Sequence, residues 1–129
     1  MNPFRGEREI EVGDKAYIAR PDNQFAASVE EVLGCALPDK IGEIASLDRI
    51  TLTMRQTAEI IRLGIRSGGA NVPLAEIEKA WTGKIQKLAI IAKDLIASAY
   101  LNIYNEDLWS DFEEPAEKKP SGGDTGTDS

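Results

Sequence analysis

Residues 84–104 read KIQKLAIIAKDLIASAYLNIY, an uninterrupted stretch without proline or glycine. Apolar side chains return at Ile85, Leu88, Ala92, Leu95, Ala99 and Ile103. Steps of three and four keep such residues on one side of an α-helix and never on one face of a strand. Ile91, Ile96 and Tyr100 widen the stripe beyond the a and d positions of a two-stranded seam. A stripe this broad suits the central helix of a small bundle, and its surplus width is where another copy or a partner would rest.

Upstream the same period recurs in shorter pieces. Pro73 opens a helix with Leu74, Ile77 and Trp81 on one face, since proline is tolerated in a first turn where its missing N–H is not needed. Thr53-x-x-Gln56 has the spacing of a capping box, and Met54, Ala58, Ile61 and Ile65 follow it as a stripe that Ser67-Gly68-Gly69 ends. Pro38 suits the start of a short helix carrying Ile41, Ile44 and Ala45. The earliest helix places Phe25, Val29, Val32 and Leu33 together, with Asp22 or Asn23 as N-cap and Gly34 as the stop.

Before Pro21 the period is two. Glu7–Val12 and Lys15–Arg20 are joined by Gly13-Asp14, a two-residue loop of the kind that closes tight hairpins. That loop pairs Val12 with Lys15 and Ile10 with Tyr17, and it sets Glu7 opposite Arg20. Ile10, Val12, Tyr17 and Ala19 then share one face, with Glu9, Glu11 and Ile18 on the other. A lone hairpin is marginal in water, so it has to lie on the helices. The expected fold is α+β and mostly helical: an N-terminal hairpin packed on a bundle of about five helices, spanning residues 1–104.

Composition narrows the chemistry. The chain has 129 residues, of which 42% are hydrophobic, enough for a core without metal or disulfide staples. It has no histidine and a single cysteine, Cys35. Imidazole acid–base catalysis, a serine triad and a multi-thiolate zinc site are therefore all excluded. Cys35 follows a helix-ending glycine with no cationic neighbour, which is the setting of a small core side chain rather than a nucleophile. The pairs Ser67-Gly68-Gly69 and Ser121-Gly122-Gly123 lack the Gly-Lys-Ser/Thr end of a phosphate loop. The paired acids Glu30-Glu31 and Glu76/Glu78 suit solvated helix faces. No catalytic, cofactor-binding or metal site is expected, and neither is enzymatic activity.

The formal charge of −7 is concentrated at one end. Residues 105–129 hold eight acids and two bases, which leaves the body with 13 bases against 14 acids. Such a body attracts a phosphate backbone weakly and the tail repels it, so nucleic-acid binding is not expected. No apolar run is long enough for a membrane span, and MNPFRGERE is charged too early for a secretory signal, so a cytoplasmic location is expected. Residues 113–129 contain no large apolar side chain and are expected to be a disordered tail. Between body and tail, residues 105–112 form an acidic-aromatic segment in which Leu108, Trp109 and Phe112 stand among acids. Such aromatics either fold back on the last helix or anchor a partner.

The order of these motifs carries a resemblance. Asn2-Pro3-Phe4-Arg5-Gly6-Glu7 leads into the hairpin Glu9-Ile10-Glu11-Val12-Gly13-Asp14-Lys15-Ala16-Tyr17. The helix end Val29-Glu30-Glu31-Val32-Leu33-Gly34 follows, then Leu52-Thr53 before Ala58-Glu59-Ile60-Ile61-Arg62-Leu63-Gly64-Ile65-Arg66. Over residues 2–103 this succession resembles the short tail assembly chaperones of tailed phages and gene transfer agents, proteins encoded between the major tail tube protein and the tape measure protein. The resemblance implies a non-enzymatic protein without cofactors that binds and solubilises the tape measure protein during tail assembly and is absent from the mature particle. The tail tube protein and a second copy of the chain are further candidate partners. The residues expected to bind the partner are Ile61, Ile65, Ile91 and Tyr100, with Trp109 and Phe112 from the acidic-aromatic segment. The alternative is a structural tail or connector subunit of the particle, a class that is usually richer in β-structure.

Overall fold

The computed structural model describes residues 6–39, 52–105 and 107. Strands β1 (Arg8–Val12) and β2 (Lys15–Ala19) form the antiparallel hairpin in the expected register, Val12 opposite Lys15 and Ile10 opposite Tyr17. Ile10, Val12 and Ala19 are buried, while Glu9, Glu11 and Ile18 face outward. Beyond the ladder, Arg20 Nε bonds Glu7 at 2.5 Å, which continues the pairing in side chains.

The helices begin and end where the caps predict. In α1 (Asn23–Leu33) the N-cap is Asp22, whose carboxylate accepts from Phe25 N at 3.0 Å. Gly34 ends it in the left-handed region, φ 74°, which costs glycine no Cβ clash. A second helical turn starts at 37–39, where Leu37 N donates to Glu30 Oε2 at 3.0 Å. Ile41, Ile44 and Ala45 lie outside the described residues. In α2 (Met54–Ser67) both halves of the capping box are made, Gln56 N to Thr53 Oγ1 and Thr53 N to Gln56 Oε1, each at 3.0 Å. Next come α3 (Leu74–Ala80) and α4 (Ile85–Ile103). The protein is thus α+β and mostly helical, as its periodicities predict. The acidic-aromatic residues Leu108–Phe112 and the tail 113–129 lie outside the described residues.

One expectation is corrected. The centre of the molecule is α2, not the longer last helix. α2 packs on α1, α3, α4 and β2, whereas α4 packs chiefly on α1 and α2. A helix enclosed on several sides needs more than a stripe. Thr57, Ala58, Ile60, Ile61, Leu63, Gly64 and Ile65 are all buried, while Met54, expected in the stripe, stands in the exposed first turn. Phe25 and Val29 from α1, Ile77 from α3, Leu88, Leu95 and Ile96 from α4 and Ile10 from β1 close the core around it. Burying each of these large side chains contributes about 1.5–3 kcal/mol relative to leaving it exposed.

The hairpin lies against α2 through two glycines one turn apart. Arg20 N donates to Gly64 O at 3.0 Å. A Cβ on Gly64 would come within 3.1 Å of the Ala19 Cβ, and one on Gly68 would overlap the Ile18 carbonyl oxygen. Elsewhere polar bonds tie the elements together. Trp81 Nε1 donates to Glu11 O at 2.8 Å, Asn102 Nδ2 to Pro21 O at 3.0 Å and Arg66 Nη2 to Ser28 Oγ at 3.0 Å. Ion pairs join Arg8 to Asp94 and Arg55 to Glu78, but as exposed pairs each contributes at most about 1 kcal/mol.

Among the described residues three buried side-chain atoms lack a hydrogen-bond partner, Thr57 Oγ1, Arg66 Nε and Ser67 Oγ, and the first lies in the core. Thr57 is fully buried and its Oγ1 has no hydrogen-bond partner. A buried hydroxyl without a partner costs about 1–3 kcal/mol, and valine has the same shape without it. Thr57→Val is therefore expected to stabilise the fold by about 1 kcal/mol, raising the urea midpoint with an unchanged m-value. An unchanged or lower midpoint would mean that the hydroxyl is satisfied in solution.

Candidate partner-binding surface

Of the six residues expected at the partner surface, the four that are described do not share one exposed face. Ile61 and Ile65 lie in the core of α2 with no accessible surface, so neither can touch a partner while the fold is intact. Their physical role is packing, because α2 is the enclosed helix. Ile91 and Tyr100 are half-buried on α4. They are nine positions apart, which on a helix of 3.6 residues per turn sets them on opposite flanks, about 180° around the axis. Trp109 and Phe112 lie outside the described residues.

What the structure does bring together is a second line along α4. Its core side is Leu88, Ala92, Leu95, Ile96 and Ala99, all fully buried. Ile90, Lys93, Ala97, Tyr100 and Tyr104 follow a separate line in steps of three and four, the spacing of a heptad seam. At its two ends this line is open: Ile90 is 55% exposed and Tyr104 47%. Ala97 and Tyr100 between them are half-buried against the core, and Lys93, one step from Ile90, is largely buried. Of this line only Ile90 and Tyr104 present apolar surface to solvent.

The C-terminal end of this line is held in place. The rings of Tyr100 and Tyr104 stack with centroids 5.9 Å apart and planes at 20°. Tyr104 OH donates to Glu30 Oε2 at 2.5 Å, the same oxygen that receives Leu37 N. One carboxylate on α1 thereby fixes both the end of α4 and the turn at 37–39. That hydrogen bond to Glu30 keeps the Tyr104 hydroxyl protonated and pushes its pKa above the ordinary phenol value. The stabilisation is present below the ordinary phenol pKa and is lost as pH rises through the elevated one. In an absorbance titration of the phenols, Glu30→Gln is expected to move one tyrosine to lower pH. If no tyrosine moves, the bond does not persist in solution.

Other concavities are less organised. An open depression of about 390 Å³ lies between the hairpin turn and α3, lined by Val12, Lys15, Tyr17, Glu76 and Lys79 among others. Its charges balance and it holds no thiol or other strong nucleophile. Cys35, half-buried, lies elsewhere. Among the described residues no group of three Asp, Glu or Cys side chains could hold a metal ion, and no helix is long and apolar enough to cross a membrane.

Sequence reasoning missed Ile90 and Tyr104. The signal was present in Leu88-Ala89-Ile90-Ile91-Ala92, a run apolar on every side of the helix, which shows excess width but not which flank is left uncovered. Comparison with protein families, with characterised proteins and with solved structures returns no match to this chain.

Proposed function

We propose that this chain is a non-enzymatic assembly chaperone of the kind its sequence resembles, binding helical segments of a tape measure protein and keeping that long client soluble while a tail is built. The observation that carries the reading is the heptad-spaced line of α4 from Ile90 to Tyr104, whose two ends expose large apolar side chains. Five residues over about 21 Å of helix make a small contact, well under the area of a stable permanent interface. A chaperone that must be stripped off by polymerising tube subunits needs that property. It gains its hold from many copies along one client and releases when they are displaced one at a time. The −6 carried by residues 105–129 would keep such a coated complex in solution. In this reading the protein works in the cytoplasm of the producing cell and is absent from the finished particle.

The test is co-expression with the tape measure protein encoded beside it, followed by pull-down and size exclusion. A soluble complex with several copies per client is the expected result. Ile90→Glu is expected to abolish recovery of the client while leaving the melting temperature within about 2 °C, since an exposed position away from the core tolerates substitution. A client that stays insoluble, with the chain instead stoichiometric in purified particles, would replace the chaperone by a structural tail or connector subunit.

A further inference from the structure

We infer that Glu30 is a clasp coupling the C-terminal end of α4 to the loop after α1, so that the state of the Tyr104 side chain is felt by residues 34–39. The coupling lies within one chain and needs no client.

The loop draws its outside hydrogen bonds from a single residue. Gly34 N and Cys35 N donate to Glu30 O at 2.8 and 3.3 Å, and Leu37 N donates to Glu30 Oε2 at 3.0 Å. Asp39 N turns back to Ala36 O at 3.0 Å, and Pro38 has no N–H to give. Among the described residues, no other element shares a hydrogen bond with residues 34–39. The two bonds to the carbonyl follow from the helix end itself, since Gly34 turns the chain back over the last turn of α1. The bond to the carboxylate does not. It requires the half-buried Glu30 side chain to lie over the loop in one of its many rotamers, which costs side-chain entropy.

Tyr104 meets that cost from the far end of the chain. Its hydroxyl donates to the same Oε2 at 2.5 Å, and its ring is steadied by stacking on Tyr100. Asn102 Nδ2, one half-turn earlier, donates to Pro21 O just ahead of α1, so the end of α4 is fixed to α1 at a second point. The phenol therefore sits on a firm base and pins the carboxylate. Once pinned, the carboxylate receives Leu37 N without further ordering, so each bond favours the other. Two donors on one oxygen compete only weakly here, because an ionised carboxylate oxygen has two lone pairs to offer.

Unequal exposure makes this a link and not a plain brace. Tyr104 is half exposed and can leave Glu30 without uncovering core, whereas Leu37 is fully buried. With the clasp closed, the Leu37 amide is protected and the loop follows α1. With Tyr104 released, Glu30 regains its rotamers and the loop is held chiefly by the Leu37 side chain. By reciprocity, whatever binds the end of α4 with Tyr104 in place steadies the loop, and whatever draws the phenol away loosens it. Glu30 is thus a positioning residue for both ends, a role its exposed neighbour Glu31 does not share.

The experiment is native-state amide hydrogen exchange, read by NMR on the full chain. Tyr104→Phe keeps the ring and removes only the donor. It is expected to speed exchange at Leu37 N–H about threefold or more while the amides of Ile61 and Ile65 in α2 keep their rates, the mark of local opening. Glu30→Ala should speed Leu37 at least as much, and adding Tyr104→Phe to it should change nothing further. Glu31→Ala should leave Leu37 at the parent rate. An unchanged Leu37 rate in Tyr104→Phe overturns the proposal. So does a rise shared equally by the α2 amides, which would be global destabilisation. A full Tyr104→Phe effect in the Glu30→Ala background would also overturn it, because the coupling would then bypass Glu30.

Discussion

Gly68→Ala is expected to lower the melting temperature by roughly 10 °C, a loss of about 3 kcal/mol for a chain of this size. Alanine usually favours a helix end with ordinary backbone angles by up to about 1 kcal/mol over glycine, and Gly68 has φ −80°, so the local preference points the other way. The clash wins because the new methyl would overlap the Ile18 carbonyl oxygen, a backbone atom. Ile18 sits in the ladder opposite Glu9, and its neighbour Ala19 is buried against α2, so the strand cannot step aside without uncovering core. Circular dichroism melts of the two proteins decide the matter. An equal or higher midpoint would mean that β2 does not ride this closely on α2 in solution.

Ile61→Ala should cost about 3–4 kcal/mol, the upper part of the range for removing a buried isoleucine, because the site is closed on several sides and collapses poorly. The same substitution tests what the residue is for. If Ile61 only packs, client recovery falls no further than the folded fraction does, and lowering the temperature restores both. A chain that stays fully folded by its melting curve yet loses the client would return Ile61 to the interface. Set beside Ile90→Glu, which is expected to spare the fold and remove binding, the pair separates the two apolar populations that a helical wheel merges.

Local rules were the most legible part of the sequence. Gly13-Asp14 dictates the hairpin register, Asp22 and Thr53-x-x-Gln56 dictate where two helices begin, and Gly34 dictates where one stops, because each acts through backbone bonds a few residues away. What escaped was tertiary. Reading α2 as one stripe through Met54, Ala58, Ile61 and Ile65 assumed a single buried face. The consecutive apolar pairs Ile60-Ile61 and Gly64-Ile65 report instead a helix surrounded by neighbours. For the same reason the longest helix looked central, when its surplus width is the consequence of lying at the side. Length and hydrophobicity measure how much a helix must bury; they do not say whether its own chain does the burying. Tyr104 escaped because its partner, Glu30, is far away in sequence and reads locally as half of a solvated acidic pair.

The bond from Trp81 to Glu11 bears on how copies of this protein behave when crowded. A two-stranded sheet has two free margins, each a row of backbone groups able to recruit another strand. Along β2 that margin is filled by α2, which receives Arg20 N and crowds the Ile18 carbonyl. Along β1 the residues between the ladder pairs, Glu9 and Glu11, turn their amides and carbonyls outward. The Trp81 indole occupies the Glu11 carbonyl, and the two glutamate side chains would face like charges in any copy that tried to pair there. One ring and two carboxylates thus keep a hairpin from becoming the seed of a ribbon, so that molecules gathered side by side stay separable.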